Sequence, residues 1–215
     1  MLNFLRPGFA RLFNPVIQAL VRTPVTPNMI TVAGTVGVSA SALVLFPIGE
    51  LFPGAASATF FVFTDMLDGM LARVKGTSGR WGAFLDSTMD RVGDAAVFGG
   101  ITIWFMRNPA DHLLAVVSLF CLACGMCVSY VKARAQSLGL KCDVGLIERP
   151  ERMLIGLTSI GVSGLGVPYI LPIGMWALAA GSLITLCQRM RAVYLDSKST
   201  TGADTTRTGE RTGES

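Results

Sequence analysis

The chain is built from long apolar blocks separated by short polar stretches. Six blocks run over about 29–48, 52–74, 82–106, 113–135, 152–168 and 170–190. Each is close to the ~20 residues that carry a helix across the ~30 Å hydrocarbon layer of a bilayer. Ahead of them, residues 2–21 interleave Leu, Phe, Val and Ile with Arg6, Arg11 and Asn14. That pattern suits a helix lying in the membrane interface. Behind them, from about Ser197, the chain turns to Thr, Gly, Ser, Glu and Arg, which predicts disorder. The predicted fold is therefore an all-α integral membrane protein with six transmembrane helices plus an N-terminal interfacial amphipathic helix. Its divisions are the interfacial helix over 1–24, the membrane domain over 25–195 and the polar tail over 196–215.

Composition strengthens this reading. Of 215 residues, 51% are hydrophobic and 15% charged, whereas a soluble domain carries about 25% charged residues. Residues 1–28 hold scattered Arg and four Pro rather than one compact apolar core, so no cleavable signal is expected. The net charge of +4 is modest, and no nucleic-acid partner is expected. Cys121, Cys124 and Cys127 repeat every third residue in an apolar run without a nearby His, and read as helix-packing residues rather than a metal ribbon. His112 lies in a short polar loop and is given no role.

Where the charges sit is more informative than their sum. Arg6, Arg11 and Arg22 precede the first block; Arg73, Lys75 and Arg80 follow the second. Lys132, Arg134, Lys141, Arg149 and Arg152 join the fourth to the fifth, and Arg189, Arg191 and Lys198 end the sixth. The opposite loops carry Arg107 alone, near Asp111. By the positive-inside rule both termini and the basic loops face the cytoplasm, in a multi-pass protein of the cell membrane. Trp81 and Trp104 fall at opposite predicted interfaces, as belt residues do.

Carboxylates stand inside two of the blocks: Asp65 and Asp68 in the second, Asp86, Asp90 and Asp94 in the third. Charge inside a span is costly and marks function by default. Residues three or four apart share a helix face, so Asp65, Asp68, Gly69 and Ala72 form one stripe and Gly82, Asp86 and Asp90 another. The short loop at about 75–81 predicts antiparallel neighbours with the two acid pairs facing each other. At ~1.5 Å per residue both pairs lie roughly 8 to 15 Å in from the loop. Four acids that close cannot all stay ionised without cations. An all-oxygen set selects Mg²⁺ or Mn²⁺, which suits phosphoryl chemistry. Gly69 and Ala72 leave room for a substrate beside the backbone, and Arg73 can hold a phosphate bidentately. The rival reading is a buried ion pair or relay in a cation- or proton-coupled transporter.

These residues spell a signature. Asp65-x2-Asp68-Gly69-x2-Ala72-Arg73-x8-Gly82-x3-Asp86-x3-Asp90 resembles, at every fixed position, the motif of the CDP-alcohol phosphotransferase family. The six-span layout is similar too, over roughly residues 1–195. The resemblance implies a dinuclear site of two Mg²⁺ ions, with Mn²⁺ as a substitute, held by Asp65, Asp68, Asp86 and Asp90. It implies that Asp90 is also the general base. Gly69, Ala72 and Arg73 then line the CDP-lipid pocket, bordered by Asn28, Met29, Ile30 and Thr31 in a Pro-Asn-x-x-Thr stretch, with Ser78 and Gly79 as further nucleotide residues. Asn28 also reads as the cap of the first span. Asp94, outside the motif, reads as a structural residue with a polar partner, and Arg91 as a neutraliser of one acid.

The family divides by acceptor alcohol. A phosphorylated acceptor needs fixed cations near the metals, and Lys132, Arg134, Arg152 and Arg191 stand at three span ends on the predicted cytoplasmic side. Their placement, with Gly145-Leu146-Ile147-Glu148-Arg149-Pro150-Glu151-Arg152, resembles actinobacterial members that join CDP-diacylglycerol to inositol 1-phosphate. Glycerol 3-phosphate is the alternative acceptor. The likeness also implies a homodimer among membrane lipids, with Gly161, Gly164, Gly166 and Ala179 available for close span packing.

Overall fold

A computed structural model describes the backbone of residues 15–211 and the side chains of 15–64 and 67–198. Helices account for all its regular structure, and no strand occurs among the described residues. We number six main helices: α1 (Pro27–Ile48), α2 (Leu51–Val74), α3 (Arg80–Phe105), α4 (His112–Ser137), α5 (Arg149–Gly164) and α6 (Ile170–Arg211).

Local chemistry sets the helix ends. Thr26, not Asn28, caps α1: its hydroxyl accepts from Met29 N at 3.3 Å, and Pro27 takes the first helical position, where its missing N–H costs nothing. Within α1, residues Ser41–Leu45 form a π-helical turn. There α3 comes so close that a Cβ at Gly100 would strike the Ala42 carbonyl. Gly49, at φ 95°, turns the chain into α2. A reciprocal capping box, Glu148 with Glu151, opens α5.

Packing closes the helices into a ring in the order α1, α2, α5, α6, α4, α3 and back to α1. Val38, Ala55, Val97, Cys121, Leu157 and Met175 bring all six into one core. Gly161 and Gly164 serve packing inside the chain, against Ala55 and the Leu51–Phe52 backbone of α2. The outer surface is apolar, with Val36, Val44, Phe60, Val116 and Ile173 exposed, as lipid-facing side chains are.

Four segments are long and apolar enough to cross a membrane: Pro27–Ile48, Leu51–Val74, Pro109–Ser137 and Ile170–Lys198. The other two expected spans fall short for different reasons. Charged Asp86, Asp90, Arg91 and Asp94 interrupt α3. At 16 residues, α5 rises only about 24 Å.

Most of the expected interfacial helix lies outside the described residues, but 15–21 are helical. Its Ile17 is buried against Leu67 and Leu71 of α2. Lys75 ties the following segment to the end of α2 by donating to the Thr23 and Val25 carbonyls at 3.0 and 2.8 Å. At the other end of the chain the backbone stays helical to Arg211, past residue 196, where the sequence predicts the tail to begin.

The 138–148 connection is strapped to α6. Lys141 N donates to Asp196 (2.9 Å), Leu146 N to Gln188 (3.1 Å) and Ile147 N to Thr185 (2.9 Å). Buried Arg189 donates to the carbonyls of Val128 and Val144 and pairs with Glu148 at 2.7 Å. These bonds fix the start of α5, and with it Arg149 and Arg152.

Candidate functional site

The acid stripes lie at the end of the bundle that holds the start of α1, the end of α2 and the starts of α3 and α5. One expectation fails here. In the ring α2 and α3 are not neighbours; α1 packs against both. Its first turns serve the two stripes separately. The Thr31 hydroxyl donates to the Asp68 carboxylate of α2. Asn28 faces Gly82 of α3, where an added Cβ would lie 3.6 Å from its Oδ1. The short loop makes α2 and α3 adjacent in sequence, yet α1 packs on both, meeting Phe61 of α2 at Gly37 and Gly100 of α3 at Ala42.

Asp68 is buried, Asp86 exposed and Asp90 partly buried. Asp86 lies within repulsive range of both Asp68 and Asp90. The Asp65 side chain lies outside the described residues. Among those that are described, no three acid, His or Cys side chains are gathered as a metal cage. The donor chemistry nevertheless fits a hard divalent cation. All donors are carboxylate oxygens, Thr31 orients one of them, and mutual repulsion among the acids is relieved by positive charge. Gly69 faces open space, with nothing within 4 Å of an added Cβ. Arg73 is exposed at the end of α2, and Ser78 and Gly79 are exposed in the loop.

One turn beyond Asp90, Asp94 is the centre of an arginine cluster. Its side chain is 2% exposed and bonds to Arg152, itself 1% exposed. Arg149 reaches both acids: its Nη1 stands 2.7 Å from Asp90 Oδ1 and its Nε 3.5 Å from Asp94 Oδ1. Arg91 stands 3.7 Å from each acid and donates to Ser129 of α4. Gly125 of α4 makes room for the cluster, since an added Cβ would come within 2.8 Å of Arg152 Cζ. The polar partner expected for Asp94 is thus three arginines, and Arg91 does neutralise acids.

The other basic candidates are dispersed. Lys132 pairs with Asp143 at 3.5 Å, and exposed Arg134 bonds Ser137 at 3.4 Å. Arg191 lines a cavity of about 560 Å³ with Gln188, Glu148 and Glu151. Of the four basic residues expected to meet the acceptor phosphate, only Arg191 lines that cavity. Arg149, counted in sequence only among the basic span ends, is the site residue given no role there. Its signal is the spacing from Arg152, which puts both guanidinium groups on one face of α5.

The model of the CDP-alcohol phosphatidyltransferase family matches residues 24–187. The phosphatidylinositol phosphate synthase of Streptomyces avermitilis is 47% identical over 205 residues, covering 92% of this chain and 84% of the relative. That of Mycobacterium tuberculosis is 46% identical over 192 residues, covering 88% of each chain. A crystal structure of the M. tuberculosis synthase with CDP-DAG bound superposes with a TM-score of 0.80 at 45% identity, covering 86% of this chain and 94% of that one. A second, in complex with manganese and citrate, also gives 0.80, at 46% identity and with coverage of 84% and 88%.

Proposed function

The chain belongs to the CDP-alcohol phosphatidyltransferase family, and from that membership we propose that it transfers the phosphatidyl group of CDP-diacylglycerol to inositol 1-phosphate, yielding phosphatidylinositol phosphate and CMP. The observation that carries the proposal is the complete acid signature on α2 and α3, at the same end of the bundle as the arginines of α5. The similar synthase solved with CDP-DAG supports the lipid donor.

Each residue has a task in this reading. Asp65, Asp68, Asp86 and Asp90 hold two Mg²⁺ ions, replaceable by Mn²⁺, which when bound offset charge on the transferring phosphate. Gly69 and Ala72 leave the backbone open to the donor, and Arg73 binds its diphosphate. Asn28, Met29, Ile30, Thr31, Ser78 and Gly79 border the nucleotide. Lys132, Arg134 and Arg191 attract the acceptor phosphate, and Arg152, buried on Asp94, adds to the positive field of that end of the bundle. Asp90 accepts the proton of an acceptor hydroxyl; that oxygen attacks the lipid-linked phosphorus, and CMP leaves with the bonding electrons.

All six helices cross the bilayer in this proposal. Internal pairing with arginines offsets the acids of α3, and flanking loops complete the span of α5. The N-terminal helix lies in the interface, and both termini and the site face the cytoplasm at the cell membrane. Two copies form the working dimer.

CMP release from CDP-diacylglycerol with Mg²⁺ tests the assignment, offering inositol 1-phosphate, free inositol, glycerol 3-phosphate and serine in turn. Inositol 1-phosphate should give the highest kcat/KM. A preference for glycerol 3-phosphate overturns the acceptor, and no release with any alcohol overturns the enzyme.

A further inference from the structure

We propose that Asp94 is a positioning residue for the transfer: it holds Arg149 so that the guanidinium stands against Asp90 and fixes the place of that carboxylate. The proposal rests on the transferase reading above.

The geometry is layered. The deepest layer is Asp94 with Arg152, both almost wholly buried, in the space left by Gly125. Upon it sits Arg149, whose side chain is 25% exposed and points from the pair toward the acid stripe. Its planar guanidinium presents Nε to Asp94 at 3.5 Å and Nη1 to Asp90 at 2.7 Å. The guanidinium fork presents separate nitrogens at fixed separation to the two carboxylates, where an ammonium presents only one. Asp90 and Asp94 are four residues apart on α3, where like charges repel; the bridging cation makes their proximity tolerable.

The bridge also crosses the ring. α5 packs on α2 and α6, while α3 packs on α1 and α4. The first turn of α5 therefore reaches α3 through charged side chains rather than through an apolar interface. Arg152 alone already gives Asp94 a buried partner. What Arg149 adds is a link from that pair to Asp90. Arg149 Nη1 stands 2.7 Å from Asp90 Oδ1, and Arg91 Nη2 stands 3.7 Å from Oδ2.

The test is a double-mutant cycle on CMP release from CDP-diacylglycerol and inositol 1-phosphate, using the full-length enzyme, Asp94→Glu, Arg149→Gln and the pair together. Asp94→Glu keeps the charge but moves the carboxylate by a methylene. It should lower kcat by roughly tenfold or more through misplacement alone, with KM for CDP-diacylglycerol within about twofold. In the Arg149→Gln background the same change should cost less than about twofold, because the two residues act through one contact. Equal losses in both backgrounds, or a loss seen in lipid KM instead of kcat, overturn the proposal. Should Asp94→Glu fail to fold, Arg149→Lys decides. An ammonium offers a single nitrogen in place of two at fixed separation, so a kcat near the wild-type value overturns the proposal and a comparable kcat loss supports it. Wild-type enzyme that releases no CMP sinks the transferase reading and this proposal together; additive losses in an active enzyme sink the proposal alone.

Discussion

Arg149 Nη1 lies 2.7 Å from Asp90 Oδ1 and so joins the first turn of α5 to the acid stripe of α3. The two residues are far apart in sequence and on helices that are not ring neighbours. The contact puts a fixed positive charge on the carboxylate proposed as the base.

That assignment predicts the outcome of Asp90→Asn. The amide keeps the shape and a hydrogen-bonding oxygen for Arg149, but cannot take a proton. Turnover should fall by about 10²–10⁴-fold, the usual worth of general-base catalysis. Binding of CDP-diacylglycerol, measured by calorimetry in detergent, should be largely kept. Near-normal turnover removes Asp90 from the role.

The buried pair beneath it predicts a loss of stability. Arg152→Met strips Asp94 of its closest partner at a site with almost no solvent. Breaking such a pair from one side costs about 3–5 kcal/mol. The thermal midpoint in detergent should drop sharply; an unchanged midpoint means that Arg91 and Arg149 suffice.

Two glycines should respond in opposite ways to the same added methyl. Gly125→Ala pushes a Cβ to within 2.8 Å of Arg152, and overpacking of that kind costs about 1–3 kcal/mol. Gly69→Ala meets nothing within 4 Å, so the fold should not register it. Its effect should be a higher KM for CDP-diacylglycerol. A stable Gly125→Ala, or a Gly69→Ala with unaltered KM, contradicts the respective placement.

Thr31 donates to Asp68, a proposed metal ligand. Loss of such an outer hydrogen bond weakens metal binding by about 10–100-fold. Thr31→Val should raise the Mg²⁺ concentration for half-maximal turnover, and the Mn²⁺ dissociation constant read by electron paramagnetic resonance, by that factor. Thr31→Ser should restore both. If Val and Ser behave alike, the hydroxyl has no part in holding the metal.

Much of this site is legible in the chain. The i, i+3 and i, i+4 spacings that align Asp65 with Asp68, and Asp86 with Asp90, follow from helix geometry once the apolar blocks are seen. The basic span ends are equally visible. Arg152 and Lys132 look interchangeable in sequence, however, and the structure separates them: Arg152 is buried on Asp94, while Lys132 sits at the surface with Asp143. Burial depends on what packs above a residue, and for Arg152 that includes a glycine on another helix.

The all-helical class, the acids and their order along two helices can be read from the chain alone, because helical periodicity and apolar block length are local properties. That α1 packs against both acid helices, that three arginines converge on Asp94, and that Arg149 reaches Asp90 emerge only in the folded bundle. Those relations depend on which helices become neighbours and how closely their backbones approach. They are settled by small residues such as Gly100 and Gly125 at particular crossings, and no spacing within a single helix encodes them.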